Sequence, residues 1–315
     1  MMEWTDRHCR VLHRLLSTHV RLYTEMVTAE AVLRGDRERL IGFSEIEHPV
    51  ALQLGGADPR KLAEAARVGA ERGYDEINLN VGCPSDRVQS GCFGAALMKE
   101  PALVGECVAA MRNAVEIPVS VKCRIGVDEQ DPQTALPALV DACAGAGVTV
   151  FAVHARKAWL SGLSPKENRD VPPLDYNLVH MLKRARPDLT IIVNGGIGSL
   201  DEAETHLAHA DGVMLGRAAY QNPAILAEVD RRFFGGAACD VSAAVDAYRD
   251  YVAARLAEGV ALNAMTKHML GLFHGQPGAR LFRRHLSENA HRKGAGMPVL
   301  HDALGFIGAP RAKAA

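Results

Sequence analysis

Residues 76–85, Glu76-Ile77-Asn78-Leu79-Asn80-Val81-Gly82-Cys83-Pro84-Ser85, join a short strand to a sharp turn. The residues from Glu76 to Val81 predict a buried strand, and the Gly-Cys-Pro sequence predicts a turn directly after it. Asn80 therefore ends the strand, and the Cys83 thiol lies on the loop that follows. A buried, inert cysteine is the ordinary interpretation of such a residue. The position at a strand end, between Gly82 and Pro84, instead favours a functional thiol.

Six further segments are short, rich in Val, Ile and Leu, and mostly continuous, as strands buried on both faces are. They are Val20–Met26, Val50–Leu54, Val119–Cys123, Val150–His154, Thr190–Asn194 and Gly212–Gly216. Helical segments separate them, among them one that starts at Asp58-Pro59 and one that starts with the capping sequence Ser199-Leu200-Asp201-Glu202. This alternation predicts a parallel sheet with right-handed crossovers.

The carboxyl ends of the strands distinguish a closed barrel from an open doubly wound sheet. Nearly every strand ends on a polar residue or glycine, namely Glu25, Gln53, Asn80, Lys122, His154, Asn194 and Gly216. These ends meet at one mouth in a barrel, whereas an open sheet collects its ligands at a single switch point. We therefore expect a (β/α)8 TIM barrel. Seven strands are visible, so the first strand of the barrel is expected at or before residue 1.

The strand pattern stops after Phe234, and helical segments follow around 240–258, 263–274 and 279–291. This predicts two domains, a barrel over residues 1–235 and a helical domain over 236–315. The total charge is −1, but residues 263–315 carry eight Lys or Arg and only two Asp or Glu, a net charge of +6. The rest of the chain then carries −7. A basic helical tail is either a solvated surface or a module that binds a phosphate backbone.

The composition, with 48% hydrophobic and 23% charged residues in 315, is that of a soluble globular protein. It contains no apolar run long enough to cross a membrane. The seven cysteines form no Cys-x-x-Cys pair, so a zinc ribbon or disulfide framework is not expected. We expect a cytoplasmic protein without a metal, and a monomer.

The last two strands end in Asn194-Gly195-Gly196 and in Gly216-Arg217. Loops after the last strands of a barrel commonly bind phosphate, because small residues allow backbone N–H groups to approach the anion and a guanidinium adds charge. Two glycine turns required by the backbone are the alternative. No Gly-x-Gly-x-x-Gly follows a strand, so a Rossmann nicotinamide domain is not expected.

Lys122 and His154 are polar residues in otherwise apolar strands. At a barrel mouth, Lys122 could face the N1/C2 carbonyl edge of a flavin. A salt bridge with Glu76 or another carboxylate is the alternative for Lys122, and a structural hydrogen bond is the alternative for His154. Thiols ordinarily have a pKa of roughly 8.5, so Cys83 could donate a proton near neutrality. The loop Gly91-Cys92-Phe93-Gly94 could cover this site.

Several stretches in consistent order over nearly the whole chain resemble the flavin-dependent tRNA-dihydrouridine synthases, most closely their A subfamily. They are Thr5-Asp6-Arg7-His8-Cys9-Arg10, Tyr23-Thr24-Glu25-Met26, Gln53-Leu54-Gly55-Gly56, Asn78–Pro84, Ser164-Pro165-Lys166-Glu167-Asn168-Arg169 and Asn194-Gly195-Gly196-Ile197. The family pattern closes its first strand with Ala-Pro-Met-Met, of which only Met1-Met2 stand here. We therefore expect the true start upstream and weaker flavin binding without it.

The resemblance implies reduction of the uridine C5=C6 bond to 5,6-dihydrouridine at positions 20 and 20a of the tRNA D-loop. NADPH, or NADH, would reduce FMN, hydride would pass to C6, and Cys83 would protonate C5. It assigns FMN binding to Gln53, Lys122, His154, Asn194, Gly195, Gly196, Gly216 and Arg217. It assigns tRNA binding to Asn80, Lys166, Arg169, Arg280, Arg283 and Arg284.

Three alternatives stay open at this point. A flavin barrel of the dihydroorotate dehydrogenase type would act on a free pyrimidine and would not need the basic tail. A non-catalytic RNA-binding protein on a barrel scaffold would not bind a flavin that NADPH reduces. A metal-dependent barrel hydrolase would need a cluster of His and Asp ligands, which the strand ends lack.

Overall fold

A computed structural model of the protein describes residues 1–85 and 93–308. It contains two compact units. The first comprises Met1, Tyr23–Phe43 and His48–Gly216, and the second comprises Met2–Leu22, Ser44–Glu47 and the chain from Arg217 onward.

The division between the units differs in place from the boundary expected near Gly235-Gly236. The chain passes to the second unit after Gly216, and the N-terminal helix Arg7–Leu16 also belongs to that unit. This helix buries Cys9, Leu12 and Leu16. The Tyr248 hydroxyl of a later helix donates to the backbone oxygen of His8 at 3.2 Å. The N-terminal segment therefore packs with residues more than 200 positions away.

The first unit is built on a seven-stranded sheet whose strands are hydrogen-bonded in the order of the sequence, β1 to β7. The strands are β1 Leu22–Thr28, β2 Val50–Gly55, β3 Glu76–Val81, β4 Val119–Arg124, β5 Val150–His154, β6 Thr190–Asn194 and β7 Gly212–Met214. From β2 to β7 each pair of neighbours is parallel. A sequential order without reversal is that of a barrel, because a doubly wound sheet reverses at its switch point.

The two faces of this sheet carry different chemistry. Leu52 and Ile77 face the helix Pro59–Glu71, since a Cβ added to Gly69 of that helix would lie 2.7 Å from each of their terminal carbons. Alternate residues in a strand point to opposite faces. Gln53 and Asn78 accordingly project to the other face, where their amides are hydrogen-bonded to each other. The apolar core thus lies between the sheet and the helices, and polar side chains lie on the opposite, inner face of the sheet.

Three strands have the predicted bounds, β2 and β4 extend one residue further, and β1 and β7 differ for identifiable reasons. β1 begins at Leu22 instead of Val20, because the Val20 carbonyl accepts a hydrogen bond from the Arg14 guanidinium at 2.6 Å. β7 ends at Met214 instead of Gly216, because the Met214 carbonyl accepts from the side-chain amide of Asn194 at 2.7 Å. In both strands, a side chain therefore binds a backbone carbonyl that would otherwise accept a hydrogen bond from the neighbouring strand.

Helices of the first unit lie between the strands. They are Ala29–Arg34, Arg37–Ile41, Pro59–Glu71, Pro101–Ala114, Pro132–Gly145, Tyr176–Ala185 and Leu200–Leu207, with 3-10 turns at Gly94–Lys99 and Glu167–Arg169. The predicted caps are present: Asp58 accepts from Arg60 and Lys61, and Ser199 accepts from Glu202. The Glu202 carboxylate accepts from the backbone of Gly198.

The second unit is helical among its described residues. Its helices are Arg7–Leu16, Arg217–Gln221, Val229–Phe233, Val241–Ala257, Leu262–Thr266, Ala279–Asn289 and Met297–Leu304, with 3-10 turns at Glu45–Glu47, Pro223–Glu228 and Lys267–Met269. The helix Met297–Leu304 was not predicted, because Pro298 marks a break in the sequence but stands here in a first helical turn, where proline is tolerated. No helix in the described part of the chain is long and apolar enough to cross a membrane.

Candidate active site

The Cys83 turn is held by the side chain of the residue that ends β3. The side-chain oxygen Oδ1 of Asn80 accepts from the backbone N–H groups of Gly82 at 3.0 Å and Cys83 at 2.9 Å. The Cys83 carbonyl in turn accepts from Ala95 at 2.9 Å. The thiol is partly exposed and lies 3.5 Å from the Ser85 hydroxyl. The backbone of Cys83 is thus fixed on both sides while its sulfur stays accessible.

Lys122 stands on β4 beside Asn80, its register partner on β3. Burial, together with the neighbouring Arg124 guanidinium, lowers the pKa of the Lys122 ammonium to about 8. Among residues 1–85 and 93–308, no side chain or carbonyl forms a hydrogen bond or ion pair with this ammonium, so the alternative salt bridge with Glu76 is not formed. A lysine with a buried charge and no partner is a candidate ligand for an anionic group.

Arg124 was not predicted as a site residue, although the spacing Lys122-Cys123-Arg124 puts both cations on the same face of β4. Its side chain is 3% exposed. The guanidinium donates to the carbonyl of Gly82 at 3.2 Å, of Asn168 at 2.9 Å and of Lys157 at 3.2 Å. Burial lowers its pKa to about 10. Arg124 therefore ties the Cys83 turn to the loop that carries Lys166 and Arg169.

That loop is organised around one buried amide. Asn168 is fully buried; its oxygen accepts from the Trp159 backbone at 2.7 Å, and its amide donates to the carbonyls of Trp159 at 2.9 Å and Leu163 at 3.1 Å. Lys166 and Arg169 flank it and are exposed. The side chain of Asn168 thus fixes the backbone from which two predicted tRNA contacts project.

Asn168→Ala is expected to loosen this loop, because it leaves three backbone groups without their partner, each of which costs about 1–3 kcal/mol when buried. Trypsin should cleave at Lys157, Lys166 or Arg169 about tenfold faster or more, since local opening sets the cleavage rate. Asn113→Ala, on an exposed helix position, is the matched control and should leave the rate unchanged. Equal rates for both variants would show that Asn168 does not hold the loop.

The turn after β6 has three consecutive backbone N–H groups without an acceptor among the described residues. Gly195 and Gly196 have positive φ angles of 105° and 74°. A Cβ on Gly195 would lie 2.1 Å from the His154 ring, so only glycine fits there. The N–H groups of Gly195, Gly196 and Ile197 have no hydrogen-bond acceptor within the described residues. Consecutive free N–H groups in such a turn form an anion-binding concavity.

The predicted residues divide between the two units. Those of the first unit are Gln53, Asn80, Cys83, Lys122, His154, Lys166, Arg169, Asn194, Gly195, Gly196 and Gly216. Hydrogen bonds or register join Gln53 to Asn80, Asn80 to Lys122 and His154 to Asn194. Arg217, Arg280, Arg283 and Arg284 belong to the second unit. Gly91 and Cys92, expected to cover the site, lie outside the described residues.

A solved structure supports the fold class. The old yellow enzyme homologue from Zymomonas mobilis matches with a TM-score of 0.53 at 12% identity, over 74% of this chain and 84% of that chain. The expected TIM-barrel-like fold with C-terminal helices is confirmed, with seven strands in the described part. In the described ranges, no group of three or more His, Cys, Asp or Glu side chains could hold a metal ion.

The family described as dihydrouridine synthase (Dus) matches residues 1–306. The chain belongs to this family, and the resemblance read from the sequence is confirmed. Similar proteins named tRNA-dihydrouridine(20/20a) synthase include one from Xanthomonas campestris, 57% identical over 303 residues that cover 96% of this chain and 90% of the relative. The one from Salmonella typhimurium is 58% identical over 98% of this chain and 93% of the relative. The one from Escherichia coli is 57% identical over 98% of this chain and 90% of the relative.

Proposed function

We propose that this chain is a flavin-dependent tRNA-dihydrouridine synthase that reduces uridines 20 and 20a of the D-loop with NADPH, or NADH, as reductant. The name shared by relatives at 57–58% identity supports the substrate and the positions. The observation that carries the proposal is the juxtaposition of a fixed, accessible thiol on the β3 turn with an ammonium on β4 that has no partner among the described residues.

The donor set at the mouth fits FMN. The free N–H groups of Gly195, Gly196 and Ile197 suit a phosphate, with Gly216 and Arg217 as further candidate contacts. The ammonium of Lys122 suits the electron-rich edge of an isoalloxazine ring. Gln53 near the end of β2 and His154 at the end of β5 are 7% and 8% exposed, and His154 is the register partner of Asn194. These three residues complete the proposed set of FMN ligands.

Bound at this site, FMN would supply the hydride that adds to C6 of the uracil ring. The other atom needed to saturate the C5=C6 bond is a proton at C5, and the Cys83 thiol holds one. Asn80 binds the backbone of Cys83 and not its sulfur, and the thiol donates only over a long 3.5 Å contact to the Ser85 hydroxyl, so its proton is available to the base. Water would have to supply it in the absence of the thiol, which makes Cys83 the general acid of the reaction.

The target base must leave the tRNA stack to reach this site. Asn80 uses its oxygen and one amide hydrogen within the protein, so its second amide hydrogen is its one remaining donor to an extruded base. Lys166 is exposed and its ammonium forms no hydrogen bond or ion pair within the described part, and Arg169 is also exposed. We assign both to the tRNA backbone.

Three arginines of the helix Ala279–Asn289 are proposed as further tRNA contacts. Arg280, Arg283 and Arg284 are spaced three and four residues apart, so they share one side of the helix. None of them forms a salt bridge with another described residue. Unpaired cations on one surface are what a phosphate backbone binds.

Replacing Arg280, Arg283 or Arg284 with Gln is expected to weaken tRNA binding and to reduce the slope of log K against log salt by about 1 per lost phosphate contact. NADPH oxidation without tRNA should be unchanged. Arg231→Gln is the control, because Arg231 is exposed but already paired with Glu228 at 2.6 Å. A salt dependence that stays at the wild-type slope in all three variants would remove this helix from the interface.

The function is tested directly with the purified protein, NADPH and unmodified tRNA. Dihydrouridine mapped by mass spectrometry should be found at positions 20 and 20a. Reduction of a free pyrimidine without modification of tRNA would contradict the proposal. We place the protein in the cytoplasm, because Cys9, Cys83, Cys107, Cys123, Cys143 and Cys239 are all unpaired, as in a reducing compartment. That it is a monomer stays a prediction.

A further inference from the structure

A line of polar side chains runs through the interior of the first unit. Glu76, Asn78, Asn80, Ser120 and Gln53 lie on three neighbouring strands, and each is at most 8% exposed. The interior of a parallel barrel is ordinarily filled by Val, Ile and Leu. Buried polar groups are tolerated when every member of the network is satisfied. This set therefore needs an explanation beyond packing.

The five side chains form one continuous chain of hydrogen bonds that ends at the Cys83 turn. Asn80 donates to Gln53 at 2.8 Å, Gln53 donates to Asn78 at 2.9 Å, and Asn78 donates to Ser120 at 2.7 Å. Ser120 donates to the Glu76 carboxylate at 2.5 Å, which also accepts from the Tyr23 hydroxyl at 3.1 Å. At the other end, Asn80 accepts from Gly82 and Cys83.

Every bond in this chain points in the same direction, from the Cys83 backbone toward Glu76. Carboxylate oxygens only accept and backbone N–H groups only donate. The two ends therefore impose the same orientation on the three amides between them. Reversing the Asn80 amide would turn an NH2 group toward two N–H donors, which breaks both bonds that hold the Cys83 turn. The acceptor at Glu76 opposes this reversal from the far end.

We infer that Glu76 is a positioning residue: through Ser120, Asn78, Gln53 and Asn80 it sets the amide orientation that holds the Cys83 thiol in place. Glu76 does not touch the reacting atoms in this scheme. The inference rests on the proposed function, in which Cys83 is the proton donor. It adds a group at the opposite end of β3 on which the placement of that donor depends.

The alkylation rate of Cys83 tests the positioning without using turnover. Glu76→Met has a similar volume but no acceptor, and Ser120→Ala interrupts the chain at a second point. Both should let the turn loosen, so that iodoacetamide labels Cys83 about fivefold faster or more, since each break leaves buried donors unsatisfied. Glu76→Gln keeps an acceptor oxygen and should stay within about twofold of wild type. Cys239, partly exposed in the second unit, is the internal control in peptide mapping.

Turnover supplies the second readout. We expect Glu76→Met and Ser120→Ala to lower kcat for dihydrouridine formation about tenfold or more with KM for tRNA nearly unchanged, and Glu76→Gln to restore it. Thr266→Ala removes a hydroxyl that is equally buried in the second unit and is the control for general loss of stability.

Two outcomes would overturn the inference. The first is a wild-type alkylation rate of Cys83 in folded Glu76→Met and Ser120→Ala, and the second is faster alkylation with unchanged kcat. Failure of the proposed function is seen separately, as dihydrouridine formation by Cys83→Ala.

Discussion

Cys83→Ala is expected to bind flavin and oxidise NADPH like the wild type but to form dihydrouridine about 10²–10⁴-fold more slowly, the usual contribution of a positioned general acid. The variant should keep the local structure, because the two hydrogen bonds that hold the turn come from the backbone of Gly82 and Cys83. Flavin absorbance, NADPH oxidation and mass-spectrometric counting of dihydrouridine measure the three properties on one preparation.

Cys239→Ala is the matched control for this substitution. Cys239 is also a partly exposed thiol, but it belongs to the second unit and donates to the Leu15 carbonyl at 3.3 Å. It should leave dihydrouridine formation unchanged. Wild-type modification of tRNA by Cys83→Ala would refute the assignment of Cys83 as the proton donor.

Lys122→Met is expected to act in opposite directions on function and on stability. Flavin occupancy should fall, because the variant lacks the cation proposed to face the ring. The flavin-free protein should become more stable, because it no longer buries a charge that has no partner in the described ranges. The lowered pKa of Lys122, about 8 against an ordinary 10.5, corresponds to a gain on the order of 1–3 kcal/mol at neutral pH.

The stability difference should depend on pH in a defined direction. The folded state disfavours the protonated Lys122, so the cost is fully present below pH 8 and is relieved as pH rises from about 8 to 10.5. The advantage of Lys122→Met in urea unfolding should therefore shrink by about half or more between roughly pH 7 and 9.5.

The control for this experiment is Lys166→Met, which removes an exposed charge and should change the free energy of unfolding by no more than about 0.5 kcal/mol. A flavin-free Lys122→Met that is less stable than wild type at neutral pH would show that the ammonium is stabilised by a partner.

Much of the first unit could be predicted from local sequence. β3, β5 and β6 have the predicted bounds. β5 and β6 are short, mostly apolar runs, and β3 alternates apolar and polar residues before the turn Gly82-Cys83-Pro84. The Asn80 and Cys83 positions at the end of β3 followed from the same pattern. The bounds of β1 and β7 could not be predicted, because they depend on hydrogen bonds to Arg14 and Asn194 from other elements.

The site was predicted in its residue types but not in its connections. Lys122, Asn194 and Gly195 stood out as polar or small residues at strand ends. Arg124 and Asn168 were missed as organising residues. The spacing from Lys122 puts Arg124 on the same face of β4, but the carbonyls that each of the two side chains binds belong to other parts of the chain. Gln53 was predicted only as a flavin ligand, but it also belongs to the interior hydrogen-bond chain, because its side-chain oxygen accepts from Asn80.

The order of the strands, their polar ends and the basic C-terminal region were determined by the sequence alone, because apolar spacing, turn residues and charge are local properties. Only the tertiary structure decided which polar groups pair. The bonds from Gln53 to Asn78, from Asn78 to Ser120 and from Arg124 to Gly82 join residues 25 to 42 positions apart. Such partners meet only when neighbouring strands lie in one particular register, because a shift of one residue would turn each of these side chains to the opposite face.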